Sequence, residues 1–177
     1  MTDSFLYTTP TAEIARPLVE QLTTEYRNRY GNYFGEDSSA EMNRYPPERF
    51  ADPDGAFILL LRDGRPIAGG AFMRYDDNTA EFKRMWTDAD HRRRGPAQRV
   101  LAELESRAAA KGYSRVYLTT GFRQPEAAKL YLKSGYTALF DVTAEPEAIQ
   151  IPAFEKALAP AGIHPARRND HLSAPVA

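Results

Sequence analysis

The sequence predicts an α/β domain, and three observations carry that expectation. Three β-rich runs follow one another between Phe57 and Thr87, separated only by short polar turns. Beyond Pro96 the pattern changes to helix, strand, helix and strand in succession, the alternation that builds an α/β layer. The whole is 177 residues long with 42% apolar and 27% charged residues, a balance that suits a single domain with one continuous core.

Phe5 to Thr8 reads as a short first strand, after which Ile14, Leu18, Val19, Leu22 and Tyr26 recur at helical spacing. Pro17 must then lie in the first turn of that helix, because proline lacks the N–H that an interior position needs. The helix ends near Tyr30 and Gly31. A second helix starts at Ser38, with Glu41 three residues on in capping-box spacing, and Pro46 and Pro47 stop it. Phe57 to Arg62, an Asp63-Gly64 turn, Pro66 to Tyr75, a polar turn and Ala80 to Thr87 form an antiparallel meander. A helix over Pro96 to Lys111 buries Val100, Leu101, Leu104 and Ala108, with Gly112 in the C-terminal position that favours glycine. A buried strand, Arg115 to Thr120, precedes a helix opened by Pro125 and closed by Gly135, with Ala127, Leu130 and Tyr131 on one side. Strands are expected from Tyr136 and near Phe154. Residues 1–158 are thus read as the folded domain, and the Pro-, Ala- and charge-rich residues 159–177 as a flexible tail.

A formal net charge of -1 leaves no global attraction to nucleic acid or anionic lipid, so anion binding has to come from a local cluster. The chain has no cysteine, which removes disulfides, thiolate nucleophiles and cysteine-ligated zinc, and three scattered histidines suggest no metal site. The first residues lack a basic start and an apolar stretch, and no run reaches membrane-span length, so a soluble, cytoplasmic protein is expected. His91 is expected to face solvent, and no Gly-x-Ser-x-Gly elbow supports a serine hydrolase.

The local cluster is Arg92-Arg93-Arg94-Gly95-Pro96-Ala97, placed between the end of a strand and the start of a helix. Free N–H groups and the positive end of the helix dipole converge there, glycine permits close backbone approach, and arginines add charge-assisted donors. Its bland alternative is a solvated basic run ahead of a well-capped helix. Around this loop, "EFKRMWTDADHRRRGPAQRVLAELE" resembles the fourth strand and acetyl-CoA loop of the GNAT N-acetyltransferase superfamily, Arg92, Gly95 and Ala97 fitting its Arg/Gln-x-x-Gly-x-Gly/Ala signature. Downstream, "GYSRVYLTTGFRQPEAAKLYLKSGY" is similar to its fifth strand, the following helix and an aromatic strand start, including Ala127, Tyr131, Gly135 and Tyr136.

The resemblance implies a mixed twisted sheet of about six or seven strands flanked by helices, with a V-shaped splay between the fourth and fifth. It implies acetyl-CoA as acyl donor and a small-molecule or peptide amine as acceptor. Nucleic acid and membrane partners are not expected, and the oligomeric state, a homodimer included, is open. Met85 and Thr87 would pair with the pantetheine arm, with the thioester near Met85 and Trp86. Arg92, Arg93, Arg94, Gly95, Pro96, Ala97 and Gln98 would hold the pyrophosphate, and Gln124 either binds the arm or caps its own helix. Glu81 would be the general base and Tyr131 the general acid. Strand period puts Glu81, Lys83, Met85 and Thr87 on one face, so a Glu81–Lys83 pair competes with the base role. Pro96, standing where the family usually has an aliphatic residue, supplies no N–H to a phosphate. Tyr26, Tyr30, Tyr33, Phe34 and Tyr45 suggest an aromatic wall for the acceptor, with Glu36, Asp37 and Glu41 as attractants for a cation. A non-catalytic acyl-CoA-binding module and a nucleic-acid binder acting through the arginine run are the competing readings.

Overall fold

A computed structural model of the chain describes residues 1–35 and 38–160. Among these residues seven strands form one sheet in the order β1-β2-β3-β4-β5-β7-β6. These are β1 (Asp3–Tyr7), β2 (Ala56–Arg62), β3 (Arg65–Arg74), β4 (Thr79–Thr87), β5 (Arg115–Thr119), β6 (Thr137–Ala138) and β7 (Ala153–Ala157). The first four pair antiparallel, β4 and β5 run parallel, and β7 inserts antiparallel between β5 and β6. Among the described residues five α-helices accompany the sheet: α1 (Arg16–Tyr30), α2 (Ser38–Asn43), α3 (Pro96–Ala110), α4 (Pro125–Lys133) and α5 (Pro146–Ile149). The mixed sheet follows from the connections, since two hairpins need only short turns whereas the parallel β4–β5 step needs the α3 crossover.

Alternation along β2 sorts its side chains between two cores. Ile58 and Leu60 face α3 and pack with Phe72, Phe82, Val100, Leu101, Leu104, Val116, Leu118 and Phe154. Phe57 and Leu59 face α1 and join Leu18, Leu22, Phe50, Met73 and Trp86. The helix expected over Pro96 to Lys111 forms, with Val100, Leu101, Leu104 and Ala108 buried and Gly112 at φ +99° just past its end. The strand expected from Tyr136 has only two residues, and α5 was not anticipated: Pro146–Ile149 is a single turn, too short for apolar periodicity. The tail expected from 159 lies, from residue 161 on, outside the described residues.

The sheet divides at β4. Gly69 pairs with Trp86 and Ala71 with Lys83, so Arg84 and Met85 together oppose the single Gly70. Arg84 takes the extra position at φ +62°, a left-handed conformation that costs a non-glycine residue about 1–2 kcal/mol. Its guanidinium holds it there, donating to the carbonyls of Glu41 at 2.9 Å and Met42 at 3.5 Å near the end of α2. The bulge also reverses the alternation. Phe82 and Met85 both pack on the α3 side, whereas Lys83 lies over the Tyr45 ring and Trp86 is buried among α1 residues. Glu81, Lys83, Met85 and Thr87 therefore do not share one face, because the inserted residue puts Met85 opposite Lys83.

β4 and β5 pair only from Thr79–Arg115 to Phe82–Leu118, and past that point they separate. This is the V-shaped opening between the fourth and fifth strands. On the other side of β4, β3 packs closely against β2 and α1: a Cβ on Gly69 would lie 2.8 Å from the Ile58 carbonyl oxygen and 2.8 Å from the Leu18 side chain. Gly69→Ala is expected to cost about 1–3 kcal/mol in urea denaturation, since overpacking next to a fixed carbonyl has to move backbone.

Candidate active site

Three features meet where the sheet opens. One is the loop from β4 to α3. Arg93 at φ +65° and Gly95 at φ +89° curl the chain so that Pro96 becomes the first helical residue and Gly95 the cap. The N–H groups of Ala97 and Gln98 have no intrahelical acceptor, and no described residue accepts from them. A Cβ placed on Gly95 would meet nothing within 4 Å, so open space lies beside the turn. Arg93 and Arg94 are exposed and have no ion-pair partner among the described residues. Pro96 is buried. The Arg92 side chain turns the other way, its Nε 3.5 Å from the Thr87 carbonyl and its guanidinium 3.6 Å from Glu25 of α1.

The second feature is the floor of the opening. Glu81 lies opposite Tyr117, one pair before the strands part, and is nearly buried. Lys83 pairs with it at 3.4 Å, so the ion pair weighed against the base role is present, and Lys83 also reaches Glu41 at 4.0 Å. Met85 and Thr87 follow on β4 beyond the last pairing with β5, and Trp86 between them donates its indole N–H to Gln21 at 3.0 Å. The Gln21 amide in turn donates to Asp88 at 2.9 Å, seating α1 on the end of the strand. His91 is half-buried against Asp88 at 2.9 Å, correcting the expectation that it faces solvent.

The third feature is the buried Tyr131 of α4. Tyr131 of α4 packs against Tyr136 and Phe154 in the α3-side core, while Tyr26 packs with the α1-side core. Burial pushes the Tyr131 phenol well above its ordinary pKa, with Tyr26 adding to the effect, and pushes Tyr26 up to about 12. No described residue hydrogen-bonds the Tyr131 hydroxyl, and among the described residues no fully buried side-chain polar atom lacks a partner. The hydroxyl must therefore touch accessible space.

Gln124 does not cap α4 with its side chain. Its carbonyl oxygen accepts from the Gly121 N–H and the Tyr30 hydroxyl, each at 3.1 Å, joining the β5–α4 loop to α1. The expected aromatic wall splits: Tyr30, Tyr33 and Phe34 cluster with Phe122 under the Arg123 guanidinium, whereas Tyr26 and Tyr45 belong to the α1-side core. Phe122 and Arg123 were missed because their signal is spatial rather than periodic. Of the acidic attractants, Glu41 is engaged with Arg84 and Lys83, and Glu36 and Asp37 lie outside the described residues, as do His164 and His171.

The family model for the acetyltransferase (GNAT) family matches residues 18–136, from the first turn of α1 to the residue before β6. The chain belongs to the GNAT family. It is accordingly an acyltransferase. The "IAA acetyltransferase" of Azospirillum brasilense is 30% identical over 131 residues, covering 72% of this chain and 85% of the relative. The "Uncharacterized N-acetyltransferase YsnE" of Bacillus subtilis (strain 168) is 38% identical over 77 residues, covering 42% and 51%. Among solved structures, a GNAT acetyltransferase from Staphylococcus aureus Mu50 superposes with a TM-score of 0.71 at 15% identity, covering 89% of this chain and all of that one. The PaiA N-acetyltransferase of Thermoplasma acidophilum, solved in complex with coenzyme A, gives 0.67 at 17% identity, covering 89% and 99%. These likenesses show the GNAT fold.

The α1 contact with the β5–α4 loop is tight enough to test in this GNAT chain. A Cβ on Gly121 would sit 1.9 Å from the Tyr30 hydroxyl and 2.4 Å from its ring. Gly121→Ala is expected to lower stability by about 1–3 kcal/mol in equilibrium unfolding, because a rigid ring must leave its seat.

Proposed function

We propose that the protein transfers an acetyl group from acetyl-CoA to a primary amine of a small molecule, peptide or protein. The observation that carries this reading is the juxtaposition of an open β4 edge with a turn of free N–H groups at its mouth. The residues fit the donor. The β4 edge beyond Phe82, unpaired with β5, suits the amide-bearing pantetheine arm, and the Gly95 turn leaves room for phosphate oxygens. Ala97, Gln98, Arg93 and Arg94 then bind the diphosphate, while Met85, Trp86 and Thr87 line the path of the arm. Pro96 contributes shape but no donor. When bound, acetyl-CoA supplies the activated acyl group.

The chain's own side chains handle the protons. Glu81, held by Lys83 on the α1 side of β4, accepts the amine proton at its carboxylate, directly or through one water. Tyr131, kept neutral by burial, delivers its phenolic proton to the departing sulfur from the α4 side. A base and an acid on opposite sides of the gap avoid competing for one proton.

The deciding experiment follows release of free CoA against a panel of amines, with product masses, and includes IAA, the compound in the Azospirillum relative's name. Acetylated product supports the reading, and CoA binding without turnover on any acceptor refutes catalysis. Glu81→Gln is expected to lower kcat by about 10²- to 10⁴-fold, the usual worth of a positioned base, while leaving CoA affinity intact. Tyr131→Phe should lower kcat by about 10²- to 10⁴-fold, the usual worth of a positioned acid, with a smaller deficit for thioesters of better leaving groups. An equal deficit across leaving groups would mean that Tyr131 only places the donor.

A further inference from the structure

Arg92 opens the signature that marks the phosphate loop, yet its side chain lies on the far side of that loop, toward α1. There it lines a cleft of about 520 Å³ together with Gln21, Thr24, Glu25 and Arg29. Glu25, 3.6 Å from Arg92, also pairs with Arg29 at 2.9 Å. Arg29 contacts Glu126 in the first turn of α4 and donates to the Arg123 carbonyl at 2.6 Å, and Arg123 returns a bond of 2.6 Å to the Arg29 carbonyl. A chain of alternating charge, Arg92–Glu25–Arg29–Glu126, thus runs from the loop after β4 across α1 to the start of α4. Its two ends are the two walls of the opening.

We propose that the Arg92 side chain is a tether rather than a phosphate ligand, and that Glu25 and Arg29 are positioning residues for donor binding. The inference rests on the reading that the loop binds the phosphates of acetyl-CoA. Arg93 and Gly95 hold left-handed conformations with no hydrogen-bonded ladder to fix them, so the loop needs an outside anchor to keep its N–H groups converged. Arg93 and Arg94, which have no ion-pair partner among the described residues, supply charge to the ligand, while Arg92 is committed to α1. With the walls both fastened to α1, ordering of the loop precedes binding and lowers its cost.

The tether and simple charge give opposite signs. Glu25 is a carboxylate near the site of a polyanion, so Coulomb repulsion alone makes its removal favourable to binding. The tether predicts the reverse: Glu25→Gln weakens CoA about two- to tenfold by titration calorimetry, the scale of one or two partly exposed ion pairs. In turnover, KM for acetyl-CoA rises while kcat at saturation holds. Arg92→Gln, a change at a half-exposed side chain, gives a similar loss, and Glu25→Gln adds nothing further in the Arg92→Gln background. Unchanged or tighter CoA binding by Glu25→Gln, or additive losses in the double variant, overturns the tether while wild-type CoA binding stands. A wild-type protein that takes up no CoA overturns the donor reading and the tether together.

Discussion

A strand that holds one residue more than its neighbour must bend and twist away from the next strand in the sheet, and in β4 that residue is Arg84. The left-handed backbone at this position is unfavourable for arginine by itself. Carbonyls near the end of α2 compensate for it, by taking the guanidinium where partial negative charge collects. The same residue therefore bends β4, reverses its side-chain alternation and docks the short helix. The consequences reach both faces: Met85 goes to the α3 side, Trp86 to the α1 side, and the edge of β4 loses β5 just where an extended ligand could replace it.

Beyond the last β4–β5 pair the two halves of the sheet are held together through their helices, and α1 carries much of that load. Gln21 fixes the end of β4 through Trp86 and Asp88, and Tyr30 and Arg29 grip the loop after β5. Gly121 permits the grip because no side chain fits beneath the Tyr30 ring. Donor on one side and acceptor on the other would thus share a helix that neither reacts with.

Most of this architecture could be read along the chain, because apolar periodicity and Gly/Pro punctuation are local. The meander, the α3 stripe of Val100, Leu101, Leu104 and Ala108, and the phosphate-type loop at Gly95 all rest on residues adjacent in sequence. The bulge was not legible. Arg84 carries no glycine signal, and its left-handed conformation is imposed by α2, 43 residues earlier in the Arg84–Glu41 contact. A period-2 reading without the bulge misplaced Met85 and Thr87 relative to Lys83. The partners of Arg92 and Gln124 were hidden for a similar reason, since the residues they meet, Glu25 and Tyr30, lie on a helix far back in the chain. Local pattern gave the elements, and long-range polar contacts set how they meet.

The central claim is that the β4 edge released by the bulge is where the donor lies. Hydrogen–deuterium exchange across peptides spanning Lys83–Thr87, with and without acetyl-CoA, tests it directly. Protection that rises in this segment and in the Gly95–Gln98 turn on adding acetyl-CoA, with the β2–β3 hairpin unchanged, is the predicted result. Binding of acetyl-CoA that leaves Lys83–Thr87 exchanging at its free rate would place the donor elsewhere and contradict the account.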